Sequence, residues 1–133
     1  MANTKHAIAL TGDETHRLSG NRTATVADAR LTSEVEAIVG SGNVLTDLET
    51  LLQYGRDCLP YAKYLYRSGQ LPGTLPSLIV RPGTTAETAQ VVDVLRRRKQ
   101  RMIPVGTCSG VLGGTIPLCE EALIDTSRMD AIL

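Results

Sequence analysis

From Pro76 to Asp125 the chain alternates short apolar runs with one long amphipathic stretch and one glycine-rich turn, an order that few folds accommodate. Leu78-Ile79-Val80 is an apolar run closed by Pro82-Gly83, which predicts a buried strand. Thr84, with Glu87 three residues on, forms a capping box. It predicts a helix reaching Gln100, with Thr88, Val91, Val92 and Leu95 on its apolar face. Met102 to Val105 reads as a second strand and Ala122 to Asp125 as a third, with a turn from Thr126 to Asp130. A crossover of this length predicts parallel pairing of the first two strands.

Directly after the second strand comes Gly106-Thr-Cys-Ser-Gly110-Val-Leu-Gly113-Gly114. Glycine loses more backbone freedom on folding than other residues, so a cluster of it marks tight turns or close backbone approach. Phosphate groups ask for that geometry, because inward-pointing backbone N–H groups cradle an anion only where no Cβ intrudes. Gly106, Gly110, Gly113 and Gly114 allow it, and Thr107 and Ser109 add hydroxyl donors. No Lys or Arg lies within the loop. The segment matches neither the P-loop pattern nor a G-x-G-x-x-G that opens a helix, since Pro117 follows too soon. On the glycines alone, a phosphate cradle and a loop packed tightly on a neighbouring strand stand equally open.

Upstream, residues 1 to 30 are rich in Thr, Ala and Arg, and predict a mobile or weakly helical extension in which His6 and His16 are solvated. Residues 31 to 74 predict a helical and looped lead-in. Thr32 or Ser33 caps a first helix with Leu31, Val35, Ile38 and Val39 on one face, ended by Gly40. An extended piece at Asn43 to Leu45 follows, then a helix from Leu48 to Gln53 capped by Thr46 or Asp47. Pro60, Gly69, Pro72, Gly73 and Pro76 punctuate the rest, which predicts loop with one short helical turn. Arg96, Arg97, Arg98 and Lys99 crowd the end of the long helix, either as a phosphate site or as a solvated face suited to the helix C-terminus.

Bulk properties remove several classes of function. Fourteen basic residues balance fourteen acidic ones, so no global field draws nucleic acid or an anionic surface. Four Tyr with no Phe or Trp give no platform for base stacking. No apolar run reaches the ~20 residues of a membrane-spanning helix. No signal peptide is read at the N-terminus. The three cysteines, Cys58, Cys108 and Cys119, are widely spaced and predict free thiols in a reducing cytoplasm.

The run from Leu75 to Leu133 resembles the FAD-binding domain of the vanillyl-alcohol oxidase and p-cresol methylhydroxylase superfamily. The resemblance rests on Pro76-Ser-Leu-Ile-Val-Arg-Pro82, Thr84-Thr-Ala-Glu87, Ile103-Pro-Val105, the glycine-rich loop and Leu123-Ile-Asp125, with Tyr54-Gly-Arg-Asp57 as a lead-in motif. The loop is closest in style to the branch related to D-lactate and glycolate dehydrogenases and alkylglycerone-phosphate synthase. The resemblance implies an α+β fold in which residues 75 to 133 form the first part of a truncated FAD-binding domain. It implies that Val105 to Gly110 wrap the pyrophosphate, with Thr107, Cys108, Ser109 and Gly110 the tightest part. Val111, Leu112, Gly113 and Gly114 then lie near the ribityl chain or ring, and Pro82 borders the adenine side. Some relatives attach the flavin through a His at the place of Ser109, so non-covalent FAD is expected. Where many relatives have Gly, Thr107 and Cys108 bring larger side chains that are expected to crowd the phosphates.

The family's catalytic acids, bases and metal-binding histidines have no counterpart in residues 1 to 133, so no catalytic or metal residue is assigned. The expected partners are the remainder of the FAD and substrate domains, in cis or as a partner subunit, and a small-molecule substrate. The implied activity is oxidation of a hydroxy acid or alcohol. An alkylglycerone-phosphate synthase-like transferase, or a non-catalytic nucleotide-binding or interaction subunit, are the alternatives.

Overall fold

The computed structural model describes residues 11–20 and 27–131. Its centre is a four-stranded mixed sheet built from β1 (Val44–Leu45), β2 (Ile79–Val80), β3 (Met102–Val105) and β4 (Ala122–Asp125), in the spatial order β1-β2-β4-β3. Five helices flank it: α1 (Gly12–Ser19), α2 (Ala29–Val39), α3 (Leu48–Tyr54), α4 (Pro60–Arg67) and α5 (Thr85–Arg97).

The expected direct pairing of β2 with β3 is not what forms. The last strand, β4, inserts between them and pairs parallel with both, Ile79 opposite Leu123 on one side and Ile103 opposite Leu123 on the other. The reason lies in side-chain character. All four residues of β4 are buried, whereas Met102, Ile103 and Pro104 of β3 keep some exposure. A strand apolar on both faces is stable only in the middle of a covered sheet. The parallel expectation itself survives, because β2 and β3 both run parallel to β4. β1 closes the other edge antiparallel to β2.

Alternation along the strands sends neighbouring side chains to opposite faces. Ile79, Leu123 and Val105 join Leu18, Leu51, Leu52, Tyr54 and Tyr66 in one apolar cluster, which packs α1, α3 and α4. Val80, Ala122 and Ile124 join Leu31, Val35, Val91, Val94 and Leu95 in the other, which packs α2 against α5. The sheet is therefore covered on both faces.

Several local expectations shift. Of the two alternatives for this part of the chain, mobile or weakly helical, residues 12 to 19 take the helical one: Thr11 and Glu14 form a capping box, and Leu18 is 1% exposed in the core. A single large apolar side chain at the right face suffices to dock a short helix. His16 is exposed on α1, and His6 lies outside the described residues. α2 is capped by Asp28, upstream of Thr32 and Ser33, through Arg30 N–H to Asp28 Oδ1 at 3.1 Å. The stretch read as loop with one short helical turn contains the eight-residue α4, with Pro60 in its first turn where a missing N–H costs nothing. On α5 the buried face is Val91, Val94 and Leu95, and Val92 faces solvent.

The three arginines of the basic cluster at the end of α5 are engaged in ion pairs. Arg96 and Arg97 both bond Asp93, at 2.8 and 3.1 Å, and Arg98 bonds Glu34 of α2. The cluster ties α5 to itself and to α2, which leaves the phosphate reading of it without support. The α5 cap is a checkable contributor to stability. Thr84 Oγ1 accepts from Glu87 N–H at 3.1 Å, and Thr84→Ala is expected to cost ~1 kcal/mol in urea unfolding. An unchanged midpoint would show that the cap is dispensable.

Candidate functional site

Parallel strands place their C-terminal ends on one edge, and open α/β sheets bind ligands outside that edge. Here the edge gathers Arg81-Pro82-Gly83 after β2, the Gly106–Gly114 loop after β3, and Thr126–Arg128 after β4. Pro82 and the glycine-rich loop, far apart in sequence, thus lie along the same edge. Thr126 Oγ1 donates to Val105 O at 3.2 Å and fastens the start of the loop to the end of β4.

The loop itself is irregular backbone held by its carbonyls. Cys58 N–H donates to Gly110 O at 2.8 Å, and the Cys58 thiol donates to Cys108 O at 3.6 Å. Gly113 O accepts from Ile116 N–H at 3.1 Å. Among the described residues all peptide bonds are trans. In a trans peptide the C=O of one residue and the N–H of the next point in opposite directions. With Cys108 O and Gly110 O turned toward Cys58, the N–H groups of Ser109 and Val111 point away from it. Neither amide enters a hydrogen bond among the described residues. Two unbonded amides on the side of an exposed turn away from Cys58 are donors of the kind that anion-binding loops use.

The side chains sort by the same logic. Thr107 and Ser109 are exposed, and Thr107 Oγ1 donates to Ser109 Oγ at 3.1 Å, so the hydroxyls converge on one another. A Cβ added at Gly106 or Gly114 would meet no atom within 4 Å, so both keep open space beside the backbone. Gly113 has φ +81°, a conformation that glycine adopts without strain. Cys108 takes φ +54° despite its side chain, and that turn swings the thiol into the core beside Tyr54 and Val105. The Cys108 side chain is thus turned inward, away from the exposed side of the loop. Burial pushes its thiol up to about 11, so it stays protonated and is a poor nucleophile near neutral pH. Val111 and Leu112 are exposed, Leu112 to 90%, and present apolar surface at the loop tip.

Beneath the edge lies a polar hub that the sequence did not announce. Asp125, at the end of β4, is buried, and its Oδ2 accepts from Tyr54 OH at 2.6 Å and Ser127 Oγ at 3.0 Å. Its Oδ1 accepts from Ser127 N–H at 2.8 Å, and Arg81 Nε stands 3.5 Å from Oδ2. Burial and the bond to Asp125 push the Tyr54 phenol well above its usual range, so it is a permanent donor. Asp57 lies under the loop: its Oδ1 accepts from Leu59 N–H at 2.9 Å, and its Oδ2 sits 3.7 Å from where a Cβ on Gly110 would stand. Tyr54 and Asp57 were visible as a lead-in motif. Arg81 carried no signal of its own beyond standing between an apolar run and a Pro.

With that geometry in place, similarity to known proteins becomes informative. No family model matches the chain. Over 106 residues it is 26% identical to a D-2-hydroxyglutarate dehydrogenase, mitochondrial, of Arabidopsis thaliana, covering 80% of this chain and 17% of that protein. A probable D-2-hydroxyglutarate dehydrogenase of Oryza sativa subsp. indica is 25% identical over 76% of this chain and 16% of its own length. An alkyldihydroxyacetonephosphate synthase structure superposes with TM-score 0.76 at 20% identity, over 98% of this chain and 24% of that one. p-Cresol methylhydroxylase superposes with TM-score 0.61 at 19% identity, over 93% and 20%. The fold of this chain is thus shared with part of alkyldihydroxyacetonephosphate synthase and part of p-cresol methylhydroxylase, and its sequence is similar to part of D-2-hydroxyglutarate dehydrogenases. The chain spans less than a quarter of the length of each of these four relatives. Among its described residues no helix is long and apolar enough to cross a membrane.

Proposed function

We propose that this chain is the FAD-binding portion of an FAD-linked oxidoreductase acting on a hydroxy acid or alcohol, completed by further domains in cis or on a partner subunit. The observation that carries the reading is the loop geometry. Two unbonded amides, two exposed hydroxyls and open space beside Gly106 and Gly114 lie at the C-terminal edge of a parallel sheet. That donor set fits a pyrophosphate. Ser109 and Val111 amides with the Thr107 and Ser109 hydroxyls would hold the phosphates, and the exposed Val111 and Leu112 would give the apolar flavin a surface. Bound flavin supplies two-electron redox chemistry. The chain's own residues bind and orient it, and no residue here is assigned to proton transfer.

Non-covalent attachment is part of the proposal. No His stands between Gly106 and Gly114, and the one thiol in the loop faces the core. Its three free cysteines fit a reducing compartment such as the cytoplasm.

The test is an FAD titration followed by flavin fluorescence. It is run on the chain alone and on a chimera in which the following segment of the Arabidopsis relative completes the domain. Binding is expected to appear or tighten in the chimera. Gly110→Val is expected to weaken it about tenfold or more, because its branched side chain fills the space over Asp57. Ser109→Ala is expected to cost ~1 kcal/mol, about fivefold. Absence of binding by either polypeptide would reduce the loop to a packing feature. If the completed protein turns over an alkylglycerone phosphate and leaves hydroxy acids untouched, the transferase reading takes its place.

A further inference from the structure

A pyrophosphate is multiply charged, yet no Lys or Arg lies between Gly106 and Gly114. We infer that Arg81 supplies the missing cation, binding a phosphate oxygen of the ligand held by the loop, with Asp125 and Tyr54 as the residues that position its guanidinium. The inference rests on the flavin reading above and adds a residue to that site.

Three observations converge on Arg81. The first is register. Val80 lies opposite Ile124, which sets Arg81 beside Asp125, and Val105, the last residue before the loop, lies opposite Asp125 on the other side. Arg81 and the root of the loop are therefore separated only by the end of the central strand. The second is the face of the sheet. Ile79, Leu123, Val105 and Cys108 all belong to the cluster under α3 and α4. Alternation sends Arg81 and Asp125 to that same face. Consistent with this, Asp125 acts electrostatically on both the Cys108 thiol and the Tyr54 phenol, and Arg81 acts on the phenol as well.

The third observation is how the guanidinium is held. Its Nε stands 3.5 Å from the Asp125 carboxylate, while its two terminal nitrogens make no hydrogen bond or ion pair among the described residues. The side chain is about a third exposed. Several other arginines around this sheet are bonded elsewhere, and the buried Arg56 donates to Gln53 Oε1 at 3.2 Å. Arg128 donates to Arg81 O at 2.6 Å and faces Glu87 at 3.9 Å, and Arg96, Arg97 and Arg98 are paired on α5. Arg81 thus presents a two-toothed donor fork, the geometry that suits a phosphate. A side chain whose buried Nε already stands beside a fixed carboxylate loses less freedom on binding than a free surface arginine.

Asp125 cannot swing away to release Arg81, because Tyr54 and Ser127 hold both of its oxygens. In this arrangement the carboxylate sets direction and the guanidinium meets the ligand.

The experiment measures binding of FAD, ADP and riboflavin by calorimetry for the unaltered chain and its completed chimera, at low and high salt. Arg81→Gln is expected to weaken FAD and ADP roughly ten- to hundredfold. Riboflavin, which has no phosphate, is expected to bind unchanged, and the salt dependence of FAD binding is expected to flatten. Arg81→Lys keeps the charge and is expected to recover part of the loss. Equal weakening of riboflavin together with a fall in Tm would make Arg81 a structural residue and overturn the inference. So would FAD binding that Arg81→Gln leaves intact, in which case the flavin reading itself stands. Failure of the unaltered proteins to bind FAD or ADP would overturn both.

Discussion

Gly73→Ala is expected to be among the most destabilising single substitutions in this chain. A Cβ at that position would stand 2.1 Å from Pro117 O and 2.9 Å from Ile116 Cγ2. The first contact is with backbone, so no rotamer change relieves it. Moving the backbone is costly here because the two segments are stitched together. Thr74 N–H donates to Pro117 O at 2.8 Å, and Glu120 N–H donates to Thr74 Oγ1 at 2.9 Å. Overpacking in a well-filled interior costs ~1–3 kcal/mol, and a collision with fixed backbone lies at or beyond the upper end. The expected measurement is a loss of about 3 kcal/mol or more in chemical unfolding, or a chain that fails to fold at 37 °C. A cost below ~1 kcal/mol would show that the 115–118 segment moves freely. Such freedom would also remove the support that this segment, through Ile116 and Gly113, gives to the end of the glycine-rich loop.

This contact illustrates which features could be read from the sequence and which could not. Elements fixed by local chemistry were legible. Thr84 with Glu87 marked the start of α5, the apolar runs at 78–80, 102–105 and 122–125 marked three strands, and the extended piece at Asn43 to Leu45 marked the fourth. α4 was legible only as one short helical turn without a place, because its buried residues are Ala62 and Tyr66 alone. Tyr61, Lys63 and Tyr64 make its outer face, so the apolar periodicity is faint among the surrounding Pro and Gly. The position of β4 between β2 and β3 was not legible, since strand order is a non-local choice decided by which strand is apolar on both faces.

The site divides in the same way. Its glycines and hydroxyls were visible because they are consecutive. The inward turn of Cys108 was not, because nothing local distinguishes a thiol at φ +54° from one facing a ligand. The link from Tyr54 to Asp125 spans 71 positions, and only the folded sheet brings them to 2.6 Å.

That link sets up the second large effect. Asp125→Ala is expected to cost ~3–5 kcal/mol in unfolding free energy, as expected for removing one partner from a buried charged network. The loss would remove the carboxylate oxygens that the buried Tyr54 hydroxyl and the Ser127 amide bond, and the charge that stands 3.5 Å from Arg81 Nε. An alanine methyl replaces none of those bonds, and each orphaned buried donor carries its own desolvation penalty. Asp125→Asn keeps an acceptor of the same shape but loses the charge and turns one former acceptor into a donor. It is expected to be milder in stability while still releasing Arg81. The informative comparison is a double-mutant cycle with Tyr54→Phe. Residues that share one hydrogen bond are expected to couple, so the double variant should lose clearly less than the sum of the singles. Strict additivity would mean that Tyr54 and Asp125 contribute separately, and the picture of a phenol holding a carboxylate that aims an arginine would fail at its first joint. Non-additivity, with FAD binding weakened in Asp125→Asn more than its modest change in stability accounts for, would tie the buried hub to the edge of the sheet where the loop meets its ligand.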